Sequence, residues 1–114
     1  MIVKRQTGIP AITHNDFKKY CKLKGKTMNK VFNDLLIYNI GNYGLNYHQI
    51  LSPNLKDSLS KLSRRVPNHI DKKNFCVSTN KVTGKLIDDC LKDRKIPFSY
   101  LIRAIIYTEI KIYI

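Results

Sequence analysis

The sequence predicts a mainly α-helical protein with two similar halves, each of which begins with a short strand. The main observation is an internal repeat, in which five apolar residues near the C-terminus recur 70 positions earlier at the same spacing. They are Leu101, Ile102, Ile105, Ile106 and Ile110 in KIPFSYLIRAIIYTEI, and Val31, Phe32, Leu35, Leu36 and Ile40 in GKTMNKVFNDLLIYNI. This spacing is typical of one apolar helix face. Each half is too small to bury a core alone, so we expect the two to fold together or to pair with other chains.

A short strand is predicted at the start of each half. In MIVKRQTGI, the segment from Val3 to Thr7 tolerates β structure but alternates poorly. In NFCVST, from Asn74 to Thr79, alternation is clear. One face is expected to carry Phe75, Val77 and Thr79, and the other Asn74, Cys76 and Ser78.

Helix signals follow in the first half. Pro10 suits a first helical residue, and Thr13 with Asp16 offers an alternative start that resembles a capping box. Gly25 is expected to end this helix. Thr27 is expected to cap a second helix that runs to about Ile40 and stops at GNYG, residues 41–44.

The second half repeats this order. A helix is predicted from about Lys81 to Lys92, weakened by Gly84, and the final helix has Pro97 in its first turn. The connection between the halves is long for a bare loop, so we expect it to contain a helix at about 52–66 that begins with the Ser52 cap and Pro53. The predicted divisions are residues 1–42, 43–73 and 74–114.

The charge of the chain favours a polyanionic partner. There are 21 Lys and Arg against 8 Asp and Glu, a net charge of +13, which suits DNA, RNA or an acidic membrane surface. The alternative is a basic bias that serves only solubility. No signal-peptide h-region and no transmembrane segment is recognisable, so the expected location is the cytoplasm, with no membrane partner.

Catalytic and metal-binding patterns are not recognised in the sequence. Cys21, Cys76 and Cys90 are an odd number without a CxxC pair, and Cys21 and Cys90 fall in apolar helical patterns that favour core packing. Asp88 and Asp89 are adjacent on a helix and are expected to form a solvated face. We therefore expect no enzyme activity, no cofactor and no metal.

Two segments resemble the ribbon–helix–helix family, the β-ribbon DNA readers typified by the Arc and MetJ repressors. In IPFSYLIRAII the resemblance is a Ser followed by Leu-Ile-Arg and an apolar pair. In GKTMNKVFNDLL it is a Gly turn, a Thr cap and an Asn where the second copy has Ser99. The resemblance covers about Val3 to Ile40 and Asn74 to Ile110. It implies a mainly α fold with a short antiparallel β-ribbon, in which tandem units form either an intrachain pseudo-dimer or an intertwined dimer.

The resemblance also implies which residues would contact duplex DNA. Side chains on the outer ribbon face would read bases in the major groove: Lys4, Gln6, Asn74, Cys76 and Ser78. Helix N-termini and neighbouring cations would hold phosphates: Lys24, Lys26, Thr27, Met28, Asn29, Lys30, Arg94, Lys95, Phe98 and Ser99. Gly8, also on the outer face, has no side chain for reading. The alternatives are an ordinary solvated strand face and lysines that provide only solubility.

Two departures from the family pattern carry structural expectations. Arg5 and Thr7 fall where the first strand would place apolar residues inward, which predicts either a shifted register or a strand that is frayed without DNA. The second half also lacks the Gly found in the turn of the first half.

The resemblance implies sequence-specific binding of double-stranded DNA, as a transcriptional repressor or as a plasmid transfer or partition accessory protein, with a homodimer or higher oligomer on DNA as a further expectation. One alternative is a protein-interaction module, such as an antitoxin or a phage-encoded inhibitor, that uses the connecting helix or the C-terminal tail. Another is a non-specific RNA or single-strand binder whose 7 Tyr and 4 Phe stack on bases.

Overall fold

A two-stranded antiparallel ribbon lies against a group of helices in the computed structural model, which describes residues 2–43 and 49–111. The elements in chain order are β1 (Ile2–Pro10), α1 (Ala11–Leu23), α2 (Met28–Asn39), β2 (Ile40–Tyr43), β3 (Gln49–Leu51), α3 (Pro53–Lys61), β4 (Lys72–Asn80), α4 (Lys81–Arg94) and α5 (Phe98–Ile110). The predicted mainly α fold with a short β-ribbon is confirmed.

The ribbon consists of β1 and β4, paired without interruption from Ile2 opposite Asn80 to Pro10 opposite Lys72. Both strands are longer than the sequence predicts. The expectation that β1 would be shifted in register or frayed is wrong, because Arg5 lies inward and forms an ion pair with Asp88 of α4. The inward residues of β4 are buried as predicted: Phe75, Val77 and Thr79.

A shift of 70 residues relates the elements on either side of the connection. The strand β4 and the helices α4 and α5 each begin 70 positions after β1, α1 and α2. In the ribbon, Gln6 lies opposite Cys76, which is its own counterpart at that shift. The pairing of β1 with β4 is therefore symmetric about the Gln6–Cys76 pair.

The helix starts follow the predicted capping chemistry. The Thr27 hydroxyl accepts a hydrogen bond from the Lys30 amide at 3.1 Å, and the Ser52 hydroxyl accepts one from the Leu55 amide at 3.1 Å. Both caps are confirmed, and Pro53 is the first residue of α3. In the second half, Pro97 directly precedes the first residue of α5 instead of lying inside its first turn.

The helix α2 ends at Asn39, just before residues 41–44, where it was expected to stop; Gly44 lies outside the described residues. The small antiparallel pair that follows, β2 with β3, was not predicted. The helix α3 ends at Lys61 instead of about residue 66. The carbonyls of Ser63 and Arg64 accept hydrogen bonds from Arg103, which holds this stretch in a non-helical path.

The core is centred on α5, in which every residue from Tyr100 to Tyr107 is buried. The ribbon, α1 and α2 pack on one side of α5, and α3 packs on another, with Leu55 fully buried. This second covering explains why α5 is buried more completely than α2. None of the helices in the described part of the chain has the length and apolar character needed to span a membrane.

Candidate nucleic-acid interface

The outward face of the ribbon carries a row of polar side chains at its centre. The side-chain amide of Asn74 donates a hydrogen bond to the Gln6 carbonyl oxygen at 3.1 Å, and the Cys76 thiol lies 3.7 Å from the same oxygen. All three residues are exposed, whereas their strand neighbours Phe75 and Val77 are buried. The structure therefore brings three of the predicted base-reading residues into one hydrogen-bonded group that faces solvent.

The two ends of this row differ chemically. Lys4 lies opposite Ser78, so that end presents an ammonium group beside a hydroxyl. Asn74 lies opposite Gly8, so the other end presents one amide and bare backbone. The ammonium group only donates hydrogen bonds, whereas the amide both donates and accepts them. The face is symmetric in backbone pairing but not in chemistry.

The start of α2 is attached to the edge of the ribbon. The Asn29 side-chain oxygen accepts a hydrogen bond from the Ser78 amide at 2.8 Å, and the Asn33 side-chain amide donates to the Ser78 carbonyl at 3.0 Å. The Thr27 hydroxyl accepts its hydrogen bond from the Lys30 amide and not from the two amides before it. The amides of Met28 and Asn29 therefore have no hydrogen-bond acceptor in the part of the chain that is described. These two amides lie at the positive end of the helix dipole.

The start of α5 has a different arrangement. Pro97 is at the cap position and offers neither an amide nor a capping side chain, while Phe98 and Ser99 are half-buried. The helix packs on β1, as α2 packs on β4. Both predicted helix starts therefore belong to helices that contact the ribbon.

The predicted phosphate-binding cations are exposed, and Lys24 and Lys30 are among those with local partners. Lys30 forms an ion pair with Asp34 at 3.0 Å, and the Lys24 ammonium lies 5.0 Å from the centre of the Tyr20 ring. Lys26, Arg94 and Lys95 are also exposed. Both interactions lie near the surface and are weak, so they leave Lys24 and Lys30 able to turn toward an anion.

The missing turn glycine of the second half is replaced by a lysine in the same backbone conformation. Gly25 has φ +68°, and Lys95, which is 70 positions later, has φ 53°. Left-handed backbone costs a lysine more than a glycine. The turn before α5 therefore keeps the geometry of the turn before α2 and adds a charge.

Sequence reasoning missed how α4 joins the ribbon. The Arg5 guanidinium contacts both carboxylate oxygens of Asp88, at 2.7 and 2.8 Å. Asp88 is exposed, as expected of a solvated face, but it also holds α4 to the ribbon. Gly84 allows the close approach, because a Cβ atom there would lie 3.1 Å from the Thr79 hydroxyl oxygen. An inward Arg, an Asp and a helical Gly were visible in the sequence, but only the fold brings them together.

The remaining cysteines and one histidine lie on the inner side of this interface. Cys21 and Cys90 are buried, as predicted, and burial raises the pKa of both thiols. The ring of His14 packs edge-on against Phe75, with the centroids 6.0 Å apart. Burial, with Lys73 and Lys18 nearby, lowers the pKa of His14, which favours its neutral form.

Comparison of the chain with protein-family models, with curated proteins and with solved structures gives no match. Function is therefore inferred from the outer face of the ribbon and from the helix starts beside it.

Proposed function

We propose that this protein binds double-stranded DNA in a sequence-dependent way by inserting the β1–β4 ribbon into the major groove. The observation that carries the proposal is the pairing itself. Two strands of one chain form an antiparallel ribbon centred on Gln6 and Cys76, with a polar outer row and an inner row that buries Phe75 and Val77. The major groove is wide enough to admit a two-stranded ribbon and displays a distinct pattern for each base pair.

The architecture that we propose is two tandem ribbon–helix–helix units in one chain. The first is β1 with α1 and α2, and the second is β4 with α4 and α5. The shared shift of 70 residues supports this assignment. Of the two arrangements that the sequence leaves open, the continuous register within one chain favours the intrachain pseudo-dimer.

Base reading would follow the chemistry of the outer row. Lys4 can donate to guanine N7 and O6, whereas the amides of Asn74 and Gln6 can pair with adenine N6 and N7. Because Lys4 and Asn74 lie toward opposite ends of the ribbon, the two halves of the DNA site would differ. Symmetry of a DNA site mirrors symmetry of the protein, so we expect an asymmetric target.

Phosphate contacts would come from the starts of α2 and α5. The unpaired amides of Met28 and Asn29 are suited to hold one phosphate, and the amides of Phe98 and Ser99 are suited to hold another. The cations around these starts would add an electrostatic term that falls as salt rises: Lys24, Lys26, Lys30, Arg94 and Lys95. Such contacts set orientation and affinity without reading sequence.

Two structural observations weigh against the other candidate functions. The apolar face of α3 is already covered by α5, with Leu55 and Leu62 buried, so it does not offer a ready surface to a protein partner. Among the described residues, many aromatic rings are also in the core, including Phe17, Phe32 and Phe75, and these rings are not placed to stack on single-stranded bases. A role as a repressor or as a plasmid transfer or partition accessory protein follows from the family resemblance alone.

The experiment that tests the proposal is selection from a pool of random duplex DNA at about 150 mM salt, near physiological ionic strength. Enrichment of a short motif whose halves differ is the expected result. The double variant Gln6→Ala/Asn74→Ala is the matched control, since it keeps the net charge and removes two reading side chains. Binding that enriches no motif and disappears as salt rises would refute sequence-dependent reading.

A further inference from the structure

An arginine of the connecting segment, Arg64, lies beside the start of α5. The Arg64 guanidinium donates a hydrogen bond to the Lys95 carbonyl at 2.5 Å, and it lies 6.0 Å from the centre of the Tyr100 ring. Arg65 follows it and is also exposed. These contacts hold Arg64 at the turn between α4 and α5, one of the two places where the proposed function puts a phosphate.

The backbone of this segment is held by a buried cation. Arg103 is only 2% exposed, and its guanidinium donates to the Ser63 carbonyl at 2.8 Å and to the Arg64 carbonyl at 3.0 Å. The Tyr100 hydroxyl donates to the Leu59 carbonyl nearby. A buried guanidinium is costly unless it is well hydrogen-bonded, so these bonds fix the path of the segment over α5. The exposed side chains of Arg64 and Arg65 are thus carried on an anchored backbone.

Arg64, Arg65 and Lys95 are basic residues without an acidic partner: no ion pair among the described residues involves any of the three. Elsewhere on the surface, Lys30, Lys61 and Lys85 each have an Asp four positions away. Neighbouring like charges repel one another, and an anion placed among them relieves that repulsion.

The connecting segment continues from α3 to β4 and leads into the second unit. The segment enters the ribbon at Lys72, the end at which Asn74 lies opposite Gly8, and the Asp71 carbonyl there accepts a hydrogen bond from the Ala11 amide at 2.8 Å. The start of α5 corresponds, at the shift of 70, to the start of α2, which contacts Ser78 at the other end.

We propose that Arg64 and Arg65 contact backbone phosphates of the bound duplex beside the Asn74 end of the ribbon. This inference rests on the proposed function, because it takes duplex DNA as the ligand. It extends the proposed phosphate contacts from the start of α5 to the connecting segment.

The test compares single charge removals in the full chain. The variants are Arg65→Ala and, as the matched control, Lys56→Ala, an exposed cation on α3 of the same connecting segment. Binding to a random-sequence duplex is measured over a range of salt. For Arg65→Ala the slope of log K against log salt is expected to fall by about 0.9, the value for one lost phosphate contact, while Lys56→Ala keeps the slope of the unmodified chain.

Arg64 needs a variant that separates its charge from its contacts. Arg64→Lys keeps the charge and is expected to keep most of the slope, whereas Arg64→Ala is expected to lower it by about 0.9. Circular dichroism and thermal melting would verify that each variant is folded. Where selection has yielded a motif, a neutral methylphosphonate at the phosphate beside the Asn74 end is expected to weaken binding of the unmodified chain more than binding of Arg65→Ala.

The outcomes separate the two proposals. If the unmodified chain binds no duplex, the proposed function fails and this inference fails with it. If the chain binds and Arg65→Ala and Arg64→Ala have the same slope as Lys56→Ala, only this inference is overturned. Methylphosphonates on the Asn74 side that weaken Arg65→Ala and the unmodified chain equally at every position would also overturn it.

Discussion

Arg5 and Asp88 form a two-point ion pair that joins the ribbon to α4 across 83 positions of sequence. Arg5 occupies the inward row of β1, yet its side chain remains 22% exposed because the guanidinium extends past Gly84 to the surface. The carboxylate is 56% exposed, so neither charge is fully desolvated. A long side chain can therefore cover the core with its aliphatic part and place its charge at the edge.

The first prediction concerns this ion pair. Arg5→Ala is expected to lower the free energy of unfolding by about 1 kcal/mol, since bidentate geometry strengthens a pair that exposure weakens. Arg5→Leu is expected to cost less, because an apolar side chain suits the inward row. Urea denaturation of both variants and of Asp88→Ala would measure the effect, and the double variant would give the coupling.

Lys4→Ala is the matched control for the Arg5 variants, since it removes one charge from the outward face of the same strand. It is expected to change stability by less than about 0.5 kcal/mol. An Arg5→Ala variant as stable as Lys4→Ala would show that the ion pair does not hold α4 to the ribbon.

The second prediction tests the repeat through its core. Leu36 of α2 and Ile106 of α5 are 70 positions apart, and they are 1% and 0% exposed. Truncation to Ala at either position is expected to cost about 2–5 kcal/mol, since each leaves a cavity in packed surroundings. Thermal melting would show this, with Ile37→Ala, 56% exposed on the same helix, as the control. Equal melting temperatures for Leu36→Ala and the control would be incompatible with this core.

Much of the helical structure was predictable because its signals are local. The apolar spacing on α2 and α5 identified both helices, and the hydroxyls of Thr27 and Ser52 marked helix starts through contacts three residues away. The alternation in β4 was equally local. These signals require no knowledge of the distant chain.

The predictions that failed depend on contacts between residues that are far apart in the sequence. The Arg5 position in β1 looked unsuitable because its partner Asp88 lies on α4, 83 positions later in the sequence. The helix α3 ends early because Arg103, about 40 positions later, binds the carbonyls beyond it. The outward row of the ribbon was predicted residue by residue, but the hydrogen bond between Gln6 and Asn74 depends on a register that neither strand specifies alone.

The third prediction uses the chemistry of the cysteines to locate the DNA. Cys76 is exposed at the centre of the outward face, whereas Cys21 and Cys90 are buried with raised thiol pKa values. Brief treatment of the folded protein with iodoacetamide is expected to alkylate Cys76 first, because reaction needs an accessible thiolate. Bound duplex is expected to protect Cys76, and mass spectrometry of peptides would measure both effects.

Two controls complete this labelling experiment. Cys76→Ser is expected to abolish the rapid phase, and urea is expected to expose all three thiols to the reagent. If saturating duplex left the alkylation rate of Cys76 unchanged, the ribbon face would not be the DNA-binding surface.

The fourth prediction separates base reading from phosphate binding. Asn74→Ala is expected to relax sequence preference on its half of the site while leaving the salt slope nearly unchanged, because the amide carries no charge. Lys26→Ala and Lys95→Ala are expected to weaken binding to all duplexes about equally, and each is expected to lower the slope by about 0.9. Binding to the selected motif and to a scrambled duplex, each measured at several salt concentrations, distinguishes the two classes.

Comparing Asn74→Ala with Lys95→Ala also tests whether the outer face of the ribbon is turned toward the bases of the DNA. In the proposed complex, Asn74 and Lys95 belong to the same unit and lie toward the same end of the ribbon. A difference between the effects of Asn74→Ala and Lys95→Ala on DNA binding would therefore not be explained by distance from the DNA. Loss of general affinity alone in Asn74→Ala, with preference for the motif intact, would assign Asn74 to the backbone of the DNA and remove it from base reading. A Lys95→Ala variant that changed the preferred sequence would contradict the phosphate role of the α5 start.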